Sequence, residues 1–110
     1  MFGFFRQPDP GVVAAGVPRS SMWAKVRAAH LKAHPACEAC AQKDALEVHH
    51  IEPFHLRPEL ELDPTNLMTL CGAPCHIVHG HLMAWARVNR TVVADVRTYR
   101  AKLEAAKKAA

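Results

Sequence analysis

The stretch Cys37-Glu-Ala-Cys40 and its later counterpart Cys71-Gly-Ala-Pro-Cys75 contain all four cysteines of the chain. Each stretch places two thiols on one turn, and 30 residues separate the two pairs. Two such turns can together form a tetrahedral four-thiolate site, which prefers a soft metal such as zinc. Four thiolates leave no coordination position open, so we expect a structural zinc that ties the first helix to the start of a later one.

Four cysteines are also compatible with two disulfides, or with free thiols buried in pairs. The apolar start of the chain, residues 1–5, is interrupted by Arg6 and Pro8 before a signal-peptide core can form. No stretch approaches the roughly 18 apolar residues that span a bilayer. We therefore expect a cytoplasmic protein without a membrane association, and in that reducing compartment paired cysteines bind metal more often than they form disulfides.

The composition of the chain sets its size class. A chain of 110 residues suffices for one domain and is too short for two. Aromatic residues make up only 6% of it, so the core is modest, and a domain this small often needs a metal or disulfides to stabilise it. The formal net charge of +4 suits a polyanionic partner such as a nucleic acid.

The order of elements predicts an α+β domain over residues 19–110, preceded by a flexible arm over residues 1–18. The arm contains three prolines and three glycines, and its Phe2, Phe4 and Phe5 either dock on the domain or belong to a loose tail. A helix capped by Ser20 or Ser21 is predicted to run to about residue 34.

Two strands and two further helices are predicted after the first cysteine pair. The strands are expected over residues 46–51 and 66–70, separated by an irregular segment with three prolines. A helix is predicted from residue 76 to about residue 88, with Gly80 as its weak point. The last helix is amphipathic, and its apolar positions are Val92, Val93, Val96, Tyr99 and Leu103.

Histidines cluster in two places. His49 and His50 are adjacent on the first predicted strand and therefore point to opposite faces, so one can hold a metal while the other faces substrate or water. His76, His79 and His81 follow the last cysteine, a composition typical of metal ligands. His76 and His79 share a helix face, whereas His81 joins them only if the helix breaks at Gly80.

These pieces together resemble the HNH endonuclease family, in its zinc-knuckle branch of phage and bacterial proteins. The resembling string is Cys37-x2-Cys40, then Val48-His49-His50-Ile51-x-Pro53, then Asn66-Leu67-x2-Leu70-Cys71-x3-Cys75-His76. With its flanking segments it covers roughly residues 19–90. The resemblance implies a small ββα-metal finger with flanking N- and C-terminal helices and a four-cysteine zinc site.

The resemblance also implies roles for individual residues. His50 matches the general base, while His49 and His76 match ligands of the catalytic metal. Asn66 matches the residue that orients the site, although an Asn before a strand is also a common turn residue. A third ligand is His81 or His79, and His81 fits the family pattern better. The three-residue gap between Cys71 and Cys75 departs from the commoner two-residue gap and shifts His76 relative to Asn66.

The implied function is metal-dependent hydrolysis of DNA phosphodiester bonds in a bacterial or phage-infected cell. The implied cofactors are a structural zinc ion and a catalytic divalent cation: Mg²⁺, Mn²⁺, Ni²⁺ or Zn²⁺. DNA would be bound mainly through its phosphate backbone, and a phage packaging or other DNA-processing protein is a conceivable partner. The candidate DNA-binding residues are Lys25, Arg27, Arg57, Arg87, Arg90, Arg97 and Arg100.

Two other functions use the same residues. A zinc-knuckle module that binds nucleic acid without cleaving it would need only the cysteines and basic residues. A structural or assembly protein would use the last helix as a docking surface. The occurrence of His49, His50, Asn66 and His76 in this order favours the nuclease.

Overall fold

A small antiparallel sheet lies at the centre of the molecule. The structure, a computed structural model, describes residues 18–109. In it β1 (Leu46–His50) pairs with β2 (Leu67–Cys71), so that His49 lies opposite Met68. Both ends of each strand lie within one residue of their predicted positions. The segment between the strands is rich in proline and therefore cannot extend the pairing.

One helix precedes the sheet. This helix, α1 (Trp23–Ala33), contacts both strands and ends before Pro35, as predicted. The predicted serine cap is wrong, because the residue preceding the helix is Met22, which makes no side-chain cap. The Ser20 hydroxyl instead accepts a hydrogen bond from the Met22 N–H at 3.0 Å. Tertiary contacts set this geometry, since the Ser20 N–H donates to Glu61 Oε1 at 3.1 Å.

A short helical segment follows β2 directly. This segment, α2 (Gly72–Gly80), has the wide turns of a π-helix and includes one non-helical residue, Ala73. The predicted continuation to about residue 88 is wrong, because the helix ends at Gly80 and residues 81–86 form turns. Leu82 and Met83 both adopt positive φ angles there, of 52° and 73°, which no α-helix contains.

The last helix is the longest. This helix, α3 (Val92–Ala109), confirms the predicted amphipathic segment, and its Val92 and Val96 are buried. The Asn89 amide donates to the His79 carbonyl at 2.6 Å and to Asp95 at 2.9 Å, which attaches the start of α3 to the end of α2. No helix in residues 18–109 is both long and apolar enough to cross a membrane.

The hydrophobic core is built around the cysteines. Cys37, Cys71 and Cys75 are buried together with apolar side chains of β2 and α3, including Leu70 and Val92. Every residue of β2 is buried. Apart from Pro18, the predicted N-terminal arm with its three phenylalanines lies outside the described residues.

Candidate metal centre and active site

The four cysteine sulfurs converge on one point. The four Sγ atoms all lie within 4.8 Å of one another, and they belong to Cys37, Cys40, Cys71 and Cys75. None of the four cysteines forms a disulfide. The sulfurs of Cys40 and Cys71 are 3.8 Å apart. A tetrahedral site with metal–sulfur bonds of about 2.3 Å has edges of about 3.8 Å, so the cluster fits a soft metal ion.

Backbone contacts hold the first cysteine pair against β2. The Glu38 N–H donates to the Thr69 carbonyl at 2.9 Å, and the Thr69 hydroxyl donates to the His34 carbonyl at 2.9 Å. Burial raises the pKa of the Cys71 and Cys75 thiols. A metal ion that binds here must therefore displace the thiol protons. The bound ion would tie the end of α1 to the end of β2.

Three histidines form a second cluster. Ring nitrogens of His49, His76 and His81 lie within 4.8 Å of one another. His79 is not among them, because its ring packs on Tyr99 with the centroids 4.8 Å apart. The break at Gly80 allows His81, five positions after His76, to reach the same point.

Hydrogen bonds orient two of these imidazoles. His76 Nδ1 lies 2.6 Å from Glu47 Oε1, and His81 Nδ1 lies 3.0 Å from the Arg87 carbonyl oxygen. Both acceptors call for an N–H at Nδ1, which leaves each Nε2 with a lone pair. Such outer partners are typical of histidines that bind metal, since they fix the tautomer and the ring orientation.

The distance between the first two histidines also fits a shared ion. His49 Nδ1 and His76 Nε2 are 3.1 Å apart. Two imidazoles bound at about 2.0–2.1 Å place their nitrogens about 2.9–3.4 Å apart for angles between the octahedral and tetrahedral values. The three nitrogens therefore fit a divalent cation, and three protein ligands leave coordination positions for water or substrate.

The environment favours the neutral form of two members of this cluster. Burial and, to a smaller extent, the neighbouring His76 and His81 lower the pKa of His49 to about 2. Burial also lowers the pKa of His81. Neutral imidazole is the form that binds metal, so these two rings are ready for a cation at neutral pH.

Gly80 permits the close approach of the rings. A Cβ atom at this position would lie 3.0 Å from His76 Cδ2 and 3.1 Å from His49 Nδ1. Real Cβ atoms rarely come so close to ring atoms that are themselves packed. Glycine at position 80 therefore both ends α2 and leaves space for the histidine cluster.

His50 has a different environment on the other face of β1. Its Nε2–H donates to the Glu61 carbonyl at 2.9 Å, which leaves Nδ1 with a lone pair, and its ring packs on Trp23 with the centroids 4.6 Å apart. Burial lowers the pKa of His50. The buried Glu61 carboxylate is in turn held by Arg19 at 2.9 Å.

The side chain of Asn66 fixes the loop between the strands. Its Oδ1 accepts from the Glu52 N–H at 2.7 Å, and its Nδ2 donates to the carbonyls of Glu52 at 3.0 Å and Leu60 at 3.3 Å. These contacts hold the chain just after β1. Asn66 thus fixes the backbone that follows His50 through bonds to backbone groups of the loop.

One cavity of about 380 Å³ joins these features. The residues that line it include His49, His50, His76, His81, Trp23 and Trp85. Of the candidate DNA-binding residues, Arg27 and Arg87 also line it. Arg97 and Arg100 instead line a groove between α3 and β2, and Arg57 and Arg90 pair with Glu59 and Glu52.

Sequence reasoning missed Glu47, Glu61, Arg19 and Trp85 as components of the site. Glu47 had a usable signal, since it lies two positions before His49 on a strand and hence on the same face. Glu61 had none, because its role depends on a loop that folds back onto Ser20 across 41 positions of sequence.

Comparisons with known proteins give one family. Residues 37–82 match the family model described as HNH endonuclease. This segment contains both cysteine pairs, both strands and all three histidines of the cluster. No curated protein and no solved structure matches the chain.

Proposed function

We propose that this chain, which carries an HNH endonuclease domain over residues 37–82, is a metal-dependent endonuclease that hydrolyses DNA phosphodiester bonds. The observation that carries the proposal is the convergence of three imidazoles beside His50 in one cavity. Nuclease chemistry needs a base for water and a cation for the phosphate, and this cavity holds candidates for both.

His50 is proposed as the general base. The Glu61 carbonyl fixes the tautomer with the proton on Nε2, so Nδ1 is free to accept a proton from water. The lowered pKa keeps the ring neutral, and therefore able to act as a base, near pH 7. As the proton moves to Nδ1, the water oxygen bonds to phosphorus and the bond from phosphorus to the 3′ oxygen breaks.

His49, His76 and His81 are proposed to hold the catalytic cation. When bound, a divalent cation supplies charge neutralisation at the phosphate and stabilises the leaving oxygen. Three imidazole ligands favour Ni²⁺ or Zn²⁺ over Mg²⁺, which prefers oxygen ligands. The four cysteines would hold a structural Zn²⁺, whose closed coordination shell leaves no position for substrate.

DNA binding is proposed to depend mainly on phosphate contacts near the cavity. Arg27 and Arg87 line this cavity. Arg90 lies in the turn that precedes α3, and its side chain is 61% exposed. These contacts should give binding that weakens steeply with salt and depends little on sequence.

Replacement of the proposed base tests the function. His50→Ala should lower the rate of plasmid nicking by about 10²–10⁴-fold, the usual contribution of a general base. The zinc content and the circular dichroism spectrum should not change. His34→Ala is the matched control, since His34 is exposed on the far end of α1, and it should cleave at the wild-type rate. Full activity in His50→Ala would contradict the assigned role.

A further inference from the structure

The loop over residues 82–85 exposes an unusual amount of apolar surface beside the histidine cluster. Leu82 is 39% exposed, Met83 70% and Trp85 48%. Within residues 18–109, three of the six exposed large hydrophobic side chains fall in this one loop. Exposed apolar side chains concentrated at a site typically mark a surface that contacts a ligand or a partner.

The backbone of this loop is held in a costly conformation. Leu82 and Met83 have positive φ angles, which non-glycine residues rarely adopt because they strain the backbone. The Met83 N–H donates to the Ile77 carbonyl at 2.8 Å, and Arg87 Nη1 donates to the Leu82 carbonyl at 3.3 Å. In this conformation each of the three apolar side chains stays at least 39% exposed.

Trp85 connects the loop directly to the proposed metal ligands. Its indole centroid lies 5.1 Å from the ring of His76 and 5.0 Å from that of His81. Arg87 lies just after it, and the Arg87 carbonyl orients His81. A phosphate bound at the histidine cluster would therefore bring its own nucleotide close to the indole of Trp85, which lines the same cavity. Leu82 and Met83 belong to the same loop as this indole.

We infer that the loop over residues 82–85 contacts an unstacked nucleobase next to the cleaved phosphate, so that DNA with an unpaired base is the preferred substrate class. This inference rests on the proposed nuclease function. In a fully paired duplex the base faces are covered by their neighbours, and apolar side chains reach them only where a step is opened. An unpaired base offers its face without that cost, and an indole stacks on any base. Arg87 and Arg90, which follow the loop in sequence, provide positive charge for the flanking phosphates.

The test compares cleavage of two duplexes of one sequence, one fully paired and one with a single unpaired base at the cut site. The wild-type protein should cleave the second duplex at least about fivefold faster, the lower end of what base–aromatic stacking contributes. Trp85→Ala and Met83→Ala should lose most of this preference, and Trp85→Phe should retain it. Met22→Ala is the matched control, because Met22 is also exposed, at 47%, but precedes α1. The control should keep the wild-type ratio.

A second readout separates this inference from the nuclease proposal. In a His50→Ala background, 2-aminopurine at the unpaired position should change its fluorescence on binding, and Trp85→Ala should remove the change. Active variants that keep the wild-type ratio would overturn the loop proposal and leave the nuclease intact. A wild-type protein that cleaves neither duplex with any divalent cation would overturn both. If Trp85→Ala fails to fold, Met83→Ala decides, because a side chain exposed by 70% contributes little to stability.

Discussion

The four-thiol cluster and the three-histidine cluster use the same elements in opposite ways. Both take ligands from the sheet and from α2, and Cys75 and His76 are even adjacent in sequence. The thiols lie within the hydrophobic core, whereas the histidines line an open cavity. Four ligands close the first site, and three leave the second open to substrate.

This difference indicates how a small domain separates stability from chemistry. Adjacent positions in α2 point in different directions, so one turn supplies Cys75 to the core and His76 to the cavity. A metal ion held by the thiols would thereby be shielded from substrate. A cation held by the histidines would be able to exchange without unfolding the protein. The predictions below test this separation.

The largest effect is expected in the thiol cluster. Cys71→Ser should abolish the cooperative thermal unfolding transition and release the zinc. Structural zinc sites contribute about 10–16 kcal/mol of apparent free energy in small peptides, and a whole domain is stable by only about 5–15 kcal/mol. Calorimetry and metal analysis measure both quantities. His81→Ala serves as the contrast: it should keep the zinc and the transition while cleavage is lost. A stable, zinc-free Cys71→Ser protein would contradict the division of roles.

A smaller effect is expected from the carboxylate that orients His76. Glu47→Gln should weaken binding of Ni²⁺ or Mn²⁺ by about 10–100-fold, the usual effect of losing an outer hydrogen-bond partner of a ligand. Isothermal titration of the metal into the zinc-loaded protein measures this affinity. Glu104→Gln removes a comparable exposed carboxylate on α3, which pairs only with Arg100, and should leave the affinity unchanged.

Gly80→Ala tests the packing of the histidine cluster. The new Cβ would lie 3.0–3.1 Å from the rings of His76 and His49, so at least one ring must move. We expect about tenfold weaker binding of the catalytic cation, with zinc content unchanged. An unchanged affinity for the catalytic cation in Gly80→Ala would argue against a role for Gly80 in the cluster.

Much of this arrangement was predictable from the sequence. The cysteine spacing predicted the four-thiol cluster, since two knuckles satisfy a metal only by meeting each other. Alternation along β1 predicted that His49 and His50 face different surroundings. The family resemblance favoured His81 over His79 as the third ligand. The structure brings His81 and not His79 beside His49 and His76, beyond the end of α2 at Gly80.

What the sequence did not predict depends on contacts between distant segments. The helix predicted to reach residue 88 ends at Gly80, its predicted weak point, and the positive φ angles of Leu82 and Met83 that follow could not be predicted from local propensity. The serine cap failed because Glu61 binds the backbone of Ser20. His50 bonds to the backbone carbonyl of this same distant residue, and periodicity carries no information about such a partner.

The smallest effect on cleavage is expected at Glu61, which holds His50 and belongs to neither the thiol nor the histidine cluster. Glu61→Gln should weaken the bond to Arg19 and loosen the carbonyl that fixes His50, without removing either group. We expect kcat to fall by about three- to tenfold at unchanged KM, less than the roughly 10²-fold that a misplacement of 1 Å can cost. Glu59→Gln is the matched control, because Glu59 lies in the same loop but pairs only with the exposed Arg57. A merely structural role for Glu61 would lower the melting temperature and leave kcat unchanged once the protein is folded. A fall in kcat in the folded protein would instead show that the loop positions the base independently of both metal clusters.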